Sequence, residues 1–144
     1  FRPIMRNSEL NKLAGTTYLL TGVLFCAIFF NAKVVGLSIL FLAFADPIAS
    51  FVGIKYGKDK IFGHKSVQGF LAAFIVCTIL CFLFLFFNQL QEYLLIVSLL
   101  AGLVGALSEV IPWGKIDDNF SMPVVSSFGL SLLFYIFGYF NFLV

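Results

Sequence analysis

Charged residues are scarce in this sequence. Asp, Glu, Lys and Arg make up 11% of its 144 residues, whereas 61% are hydrophobic and 20 are phenylalanine. A soluble domain of this size carries about twice that charged fraction. The composition therefore argues against a soluble domain and predicts an all-α integral membrane protein, because apolar runs in lipid must satisfy their own backbone groups as helices.

Several catalytic motifs are also missing. The sequence has no HExxH, CxxC or GxSxG pattern, which argues against zinc and acyl-enzyme chemistry. Without a basic, aromatic surface, we expect no nucleic-acid partner. The three cysteines lie inside apolar runs, where they are expected to be small buried side chains. No signal peptide is visible, and the initiator methionine is absent, so we expect further N-terminal residues, including helices, to precede Phe1.

Five apolar runs are long enough to predict membrane helices, each close to the roughly 20 residues that a bilayer requires. A bundle of about five transmembrane helices is therefore expected. The absence of an internal repeat or linker predicts a single domain over residues 1–144. The predicted helices cover residues 13–30, 34–54, 67–87, 93–111 and 122–143, and the two longer loops cover residues 55–66 and 112–121.

The positive charges predict the orientation. Of the nine Lys and Arg residues, only Lys33 falls outside the N-terminal segment and the two longer loops, which lie on one side of the membrane. The positive-inside rule makes that side cytoplasmic and places the N-terminus there. We expect a plasma-membrane protein in a prokaryote, or a protein of the endoplasmic reticulum or plastid in a eukaryote, with its active site on the cytoplasmic face.

Acidic residues collect near the same face. Asp46 lies inside the second run, about 13 Å deep from the Lys55 end of the helix at the usual helical rise. An intramembrane carboxylate costs roughly 2.5–3.5 kcal/mol on insertion scales, so Asp46 is a candidate functional residue. Polar residues confined to one face favour an interfacial enzyme over a channel. The other acidic candidates lie at the end of the fourth run and in the loop that follows: Glu109, Asp117 and Asp118.

Small residues line up with these carboxylates at helical spacing. Asp46, Ser50, Gly53 and Gly57 are separated by four, three and four positions, so they share one stripe of the second helix. In the fourth helix Gly102, Gly105 and Ala106 form a similar stripe that ends at Glu109. Such stripes either allow close helix packing or line a ligand site, and both interpretations stay open from the spacing alone.

The loop between the second and third runs is rich in glycine and lysine. Lys65 and Ser66 stand at the start of the third helix, where free N–H groups favour phosphate and Ser66 is a natural N-cap. The alternative is a basic loop that contacts anionic lipid headgroups. Carboxylates facing a lysine-bearing loop fit Mg²⁺ with a nucleoside triphosphate, because Mg²⁺ favours one or two carboxylates plus phosphate oxygens.

Two motifs stand out in this sequence. The first is Asp46-Pro47-x-Ala49-x-x-x-Gly53-x-x-x-Gly57-Lys58, followed by Lys65-Ser66-x-x-Gly69. The second is Glu109 followed by Asp117-Asp118-Asn119-x-x-x-Pro123. Both resemble motifs of the polyprenol kinase family, which includes dolichol kinase, phytol kinase and CTP-dependent diacylglycerol kinase. The resemblance covers about residues 9–127, and a weaker similarity precedes the first helix at Asn11-x-x-Ala14-Gly15-Thr16-Thr17-Tyr18.

The resemblance implies a kinase that transfers the γ-phosphate of CTP, with Mg²⁺, to a long-chain isoprenoid alcohol or diacylglycerol in the membrane. Asp46 and one of Glu109, Asp117 or Asp118 are assigned to Mg²⁺, and Glu109 or Asp118 to the proton of the alcohol. Asp46, Glu109 and Asp118 are the catalytic candidates. The residues assigned to the nucleotide are Ser50, Gly53, Gly57, Lys58, Lys65, Ser66, Gly69 and Asn119.

Two other functions fit parts of the sequence. The first motif is similar to that of phosphatidate cytidylyltransferases, but their Pro-Gly-His-Gly segment is replaced here by Lys115-Ile116-Asp117-Asp118-Asn119, which favours the kinase. A non-enzymatic protein that binds anionic lipids through its basic loop is the other alternative. That interpretation leaves the intramembrane Asp46 unexplained.

Overall fold

The computed structural model describes residues 15–63, 65–111 and 117–140. In this part of the chain five helices and one short hairpin are present, and the prediction of an all-α membrane protein is confirmed. The elements in chain order are α1 (Gly15–Phe29), α2 (Ala32–Tyr56), β1 (Lys60–Phe62), β2 (Lys65–Ser66), α3 (Val67–Phe87), α4 (Leu94–Val110) and α5 (Asp118–Ile136).

Three of the described helices are long and apolar enough to cross a membrane: α2, α3 and α5. The apolar helices α1 and α4 are shorter, with 15 and 17 described residues. All five predicted apolar runs are therefore helical, but the expected spanning length is reached by three of them in the described part of the chain. Large exposed side chains such as Leu20, Ile75 and Leu95 give the bundle an apolar outer surface suited to lipid.

Glycines on α4 determine how closely α4 packs against α3. A Cβ atom at Gly102 would collide with Thr78 of α3, and one at Gly105 would lie 2.5 Å from the Cys77 sulfur. The close-packing interpretation of this small-residue stripe is therefore correct for these two glycines. The helix α3 packs along α4, α2 lies against α3 and α5, and α1 packs against α5. The core between them includes Phe41, Leu85, Cys77, Met122 and Phe134.

Helix ends agree with the prediction where the cap is recognisable in the sequence. The helix α3 has the predicted bounds, and the Ser66 Oγ accepts a hydrogen bond from the Gly69 N–H at 3.2 Å, as expected of an N-cap.

The start of α5 was predicted at residue 122, which is wrong by four residues. The Asp117 side chain accepts a hydrogen bond from the Asn119 N–H and caps the helix, so Asp118, Asn119 and Ser121 belong to α5 rather than to a loop. The end of α5 also differs from the prediction, since Gly138 has a φ of 71° and the Tyr139 N–H bonds back to the Phe134 carbonyl, which terminates the helix. Residues 141–144 lie outside the described residues.

The predicted loop 55–66 contains an antiparallel hairpin. Lys60 pairs with Ser66 and Phe62 with Lys65, and Gly63 turns the chain with a φ of 53°. The Val67 N–H donates to the Asp59 carbonyl at 2.9 Å and ties the hairpin to the start of α3. The hairpin therefore fixes where Lys65 and Ser66 stand relative to the helices.

Candidate functional site

Lys65 joins two helices through ion pairs. Its Nζ lies 2.7 Å from the Glu109 Oε1, in the last turn of α4, and 3.1 Å from the Asp118 Oδ2, in the first turn of α5. Glu109 is only 4% exposed, so its charge is compensated inside the protein rather than by water. The hairpin, α4 and α5 thus bring three predicted site residues into direct contact.

The pKa of Lys65 reflects this environment. Burial by itself would lower the pKa of the ammonium group, but the hydrogen bond and charge of Glu109, together with the charge of Asp118, outweigh that effect. The pKa of Lys65 is therefore raised above its ordinary value of 10.5, and the side chain is a fixed positive charge at physiological pH.

Asp46 lies beside this cluster on α2. Its half-buried carboxylate interacts electrostatically with Lys65 and with the carboxylates of Asp117 and Asp118, and Glu109 in turn interacts with Asp46. Among the described residues no hydrogen bond to the Asp46 side chain is present. Three helices and the hairpin therefore bring four carboxylates and one lysine into one electrostatic cluster, and Asp46 is the member left without a direct partner in this part of the chain.

The backbone before Asp46 is locally widened. Residues Phe41–Ala45 form a π-helical turn inside α2. Pro47 supplies no N–H to the Ala43 carbonyl, and its ring would clash with that carbonyl in a regular α-helix. A π-turn relieves such a conflict and is frequent at functional sites. The sequence pair Asp46-Pro47 thus places the carboxylate directly after an irregular turn.

A pocket of about 150 Å³, here called the Ser66 pocket, lies between α2, α3 and α4. Its glycines bring backbone close together: a Cβ at Gly69 would lie 2.9 Å from the Ala49 carbonyl oxygen. An adjoining pocket of about 340 Å³ shares Lys65 and Glu109 with it. The Ser66 pocket contains six of the predicted site residues: Ser50, Gly53, Lys65, Ser66, Gly69 and Glu109.

Other predicted residues lie elsewhere. A Cβ at Gly57 would lie 2.8 Å from the Ser66 Oγ, so Gly57 supports the Ser66 pocket from outside. Lys58 is exposed, and its backbone N–H donates to the Gln68 Oε1 at 3.2 Å. Asn119 donates to the Asp117 Oδ1 at 2.6 Å and lines a separate pocket with Asp46. The predicted nucleotide residues are thus not all in one pocket.

Gln68 and Asp59, which the sequence analysis does not single out, hold the hairpin in place. Besides accepting from Lys58, Gln68 donates through Nε2 to the Asp59 Oδ2 at 3.3 Å. The sequence signal for Gln68 was its position, because it is a polar side chain in the first turn of the very apolar helix α3. Its role depends on the hairpin, which was not predicted.

The carboxylates fit Mg²⁺ only if phosphate oxygens and water supply the remaining ligands of the ion. The described residues contain no group of three His, Cys, Asp or Glu side chains placed to hold a metal ion by themselves. Mg²⁺ is commonly held by one or two carboxylates with phosphate oxygens and water completing its shell. Asp46, whose carboxylate is not hydrogen-bonded within the described residues, has the hard oxygen atoms that such a site requires.

Comparison with known proteins identifies relatives over most of the chain. Proteins named CTP-dependent diacylglycerol kinase 1 align with it from Saccharomyces cerevisiae (34% identity over 86% of this chain and 50% of the yeast protein) and Eremothecium gossypii (35% over 86% and 45%). The Schizosaccharomyces pombe protein of that name is 34% identical over 91% of this chain and 65% of its own length.

The chain thus spans about half to two thirds of the length of the curated relatives it matches. No protein-family model matches the chain, and no solved structure gives a significant match. Sequence identity of about one third over most of this chain nevertheless confirms the resemblance drawn from the two motifs: the chain is similar to proteins named CTP-dependent diacylglycerol kinase 1, which is consistent with the polyprenol kinase-like family.

Proposed function

We propose that this chain carries the phosphoryl-transfer site of a CTP-dependent lipid-alcohol kinase. One observation carries the proposal: Lys65 contacts carboxylates from two helices, beside the Ser66 pocket and within electrostatic reach of Asp46. A purely structural bundle does not need such a cluster, because buried ion pairs often add little stability compared with apolar packing. The names of the relatives support CTP as the phosphoryl donor.

The acceptor in this proposal is a membrane lipid with a free hydroxyl, and diacylglycerol is the first to test because the relatives are named for it. Isoprenoid alcohols such as dolichol, other polyprenols and phytol present the same group on a hydrocarbon. The positive-inside pattern supports a site on the cytoplasmic face. There the apolar outer surface would let a lipid reach the cluster from the bilayer.

Some residues of the site would bind the phosphates of the nucleotide, and a carboxylate would accept the proton of the lipid hydroxyl. Lys65, the exposed Lys58 and the backbone N–H groups at the start of α3 would neutralise phosphate oxygens. The alcohol oxygen forms a bond to the γ-phosphorus while the bond to the bridging oxygen breaks, and CDP leaves. A carboxylate of the cluster, Glu109 or Asp118, takes the hydroxyl proton. Positioning and charge stabilisation would supply most of the rate enhancement.

Mg²⁺ fits this site when phosphate is present. Asp46, with one of Glu109, Asp117 or Asp118, would hold the ion, which neutralises charge on the phosphates when bound. Lys65 already compensates part of the charge of Glu109 and Asp118. Asp46 therefore remains the carboxylate most available to a cation.

The experiment uses CTP labelled in two positions with purified protein and diacylglycerol in mixed micelles. A kinase transfers label from the γ-phosphate to the lipid and releases CDP. A cytidylyltransferase, tested with phosphatidic acid, places the α-label on the lipid and releases pyrophosphate. A protein that only binds anionic lipids gives neither product and no stabilisation by CTP, whereas a ligand at 100 times its Kd adds about 2.7 kcal/mol.

Asp46→Asn tests the role of the cluster. The variant keeps the shape of the side chain but removes its charge, so we expect kinase activity to fall by about 10² or more, with the thermal unfolding temperature retained. Activity is measured as γ-label in the lipid, and folding as unfolding temperature in the same detergent. An Asn variant with wild-type activity would remove Asp46 from the mechanism.

A further inference from the structure

A second pocket lies between α1, α2 and α5 and shares no lining residue with the Ser66 pocket. It has a volume of about 270 Å³ and is here called the Asp46 pocket. Its walls are apolar except at Asp46 and Asn119, which are its polar residues. The apolar walls are formed mainly by Leu19, Ile39, Leu42 and Ala43.

The π-helical turn shapes this pocket. Leu42 and Ala43 belong to that turn, directly before Asp46. The side facing lipid is open, because Ala43 is exposed and its neighbour Phe44 is 50% exposed on the outer surface of α2. A molecule in the bilayer can therefore enter the pocket sideways with its apolar part still in lipid.

The polar residues of the pocket are suited to a hydroxyl group. The Asp46 carboxylate has no hydrogen bond within the described residues and can accept one from a hydroxyl. Asn119 is oriented by two hydrogen bonds to the Asp117 Oδ1, from its backbone N–H and its Nδ2. Its amide retains a second N–H that can donate to the hydroxyl oxygen.

Neighbouring turns of α2 line the two pockets. Ala49 and Ser50, three and four residues after Asp46, line the Ser66 pocket, whereas Ile39, Leu42 and Ala43 precede it and line the Asp46 pocket. At the rise of an α-helix, four residues span about 6 Å. Along α2, a hydroxyl at Asp46 would therefore lie about one helical turn from a phosphate group in the Ser66 pocket.

We propose that the Asp46 pocket binds the hydroxyl end of the acceptor lipid, with the first carbons lying against Leu42 and Ala43. In the bound state one Asp46 oxygen accepts the hydrogen bond of the hydroxyl, and the other oxygen stays available to Mg²⁺. This inference rests on the proposed lipid-kinase function and specifies its acceptor site. The volume of about 270 Å³ lies just below the range of roughly 300–1,000 Å³ that is usual for ligand pockets. It accommodates the head of a lipid alcohol, and the remaining hydrocarbon stays in the bilayer.

The first test compares Ala43→Trp with Phe44→Trp. Both add a tryptophan at the lipid-facing surface of α2, but only Ala43 lines the pocket. We expect Ala43→Trp to raise the KM for diacylglycerol by about tenfold while the KM for CTP changes little, and Phe44→Trp to change neither. Equal acceptor KM values for the two variants would overturn the proposal.

The second test does not depend on activity or on a folded variant. A diacylglycerol with a diazirine near its hydroxyl is photo-crosslinked to the wild-type chain without CTP, and the labelled peptides are identified by mass spectrometry. We expect label on residues 39–47 and on peptides of α1 or α5, reduced by unlabelled diacylglycerol. Label confined to α3 and α4 would overturn the acceptor site. Specific label at residues 39–47 in a protein that transfers no phosphate from CTP would instead contradict the proposed kinase and leave the lipid pocket in place.

Discussion

The two ends of the helix bundle are held together by different interactions. At one end, the polar end, Lys65, Glu109 and Asp118 form ion pairs beside Asp46. At the opposite end, the aromatic end, the Tyr93 ring contacts Phe137, and the Phe134 ring contacts Tyr139 and Phe140.

The ring contacts at the aromatic end are explained by their contribution to stability. The Phe134 ring is fully buried and stacks on Phe84 with centroids 6.2 Å apart, and such ring pairs add stability beyond their buried area. At the polar end, burial of Glu109 carries a desolvation cost that Lys65 offsets. The contrast indicates that ring packing stabilises the aromatic end, and it supports the proposal that the polar end retains charges for phosphoryl transfer.

The largest effect should come from a neutral substitution at the polar end. Glu109→Gln preserves shape but removes the charge that contacts Lys65, and we expect the CTP-dependent phosphorylation of diacylglycerol to fall by about 10². The matched control is Glu92→Gln, which removes an exposed carboxylate at the aromatic end and should leave the rate unchanged. Equal rates for both variants would contradict the division between the two ends.

A smaller effect, on stability alone, is expected from Phe134→Ala. The substitution removes a buried ring from the aromatic end and should lower the free energy of unfolding by about 3 kcal/mol, while the KM for CTP stays at the wild-type value. The measurements are unfolding in detergent and initial rates at a temperature where the variant is folded. A changed KM for CTP with unchanged stability would show that the ends are not independent.

The smallest effect should be the pH dependence of the Lys65 ion pairs. Because the pKa of Lys65 is raised above 10.5 in the folded protein, its pairing stabilises the fold at lower pH, and this contribution is lost as the pH rises through the raised pKa. The unfolding temperature of Lys65→Met should therefore lie below that of the wild type at neutral pH, and the gap should close at alkaline pH. The control is Lys33→Met at the aromatic end, whose unfolding temperature should not approach that of the wild type as the pH rises. A difference between Lys65→Met and the wild type that stays constant with pH would contradict the prediction.

Helix existence and several helix ends could be predicted because their causes are local. The apolar run 67–87 preceded by Ser66 coincides with α3, since the run and the cap are adjacent in sequence. The start of α5 was misplaced because Asp117 was assigned to a metal site and not considered as a cap. The hairpin of Lys60–Phe62 and Lys65–Ser66 was missed because two such short strands carry little pattern of their own.

The candidate site likewise has features that the sequence could predict and features that it could not. The sequence could single out Asp46, because a carboxylate inside an apolar run is costly wherever the helix is placed. It could not predict that Lys65 would contact Glu109 and Asp118, which lie 44 and 53 positions away. Nor could it separate Asn119, which lies with Asp46, from the residues of the Ser66 pocket.

By itself, the sequence determined that the protein is a bundle of apolar helices with most of its carboxylates near one face, since burial cost and helical period depend on the order of residues alone. The tertiary structure decided which charges neutralise each other and that Asp46 and Ser66 line different pockets. Those features depend on how closely α2, α3, α4 and α5 approach, and side-chain volumes at contacts such as Gly69 against Ala49 set that approach.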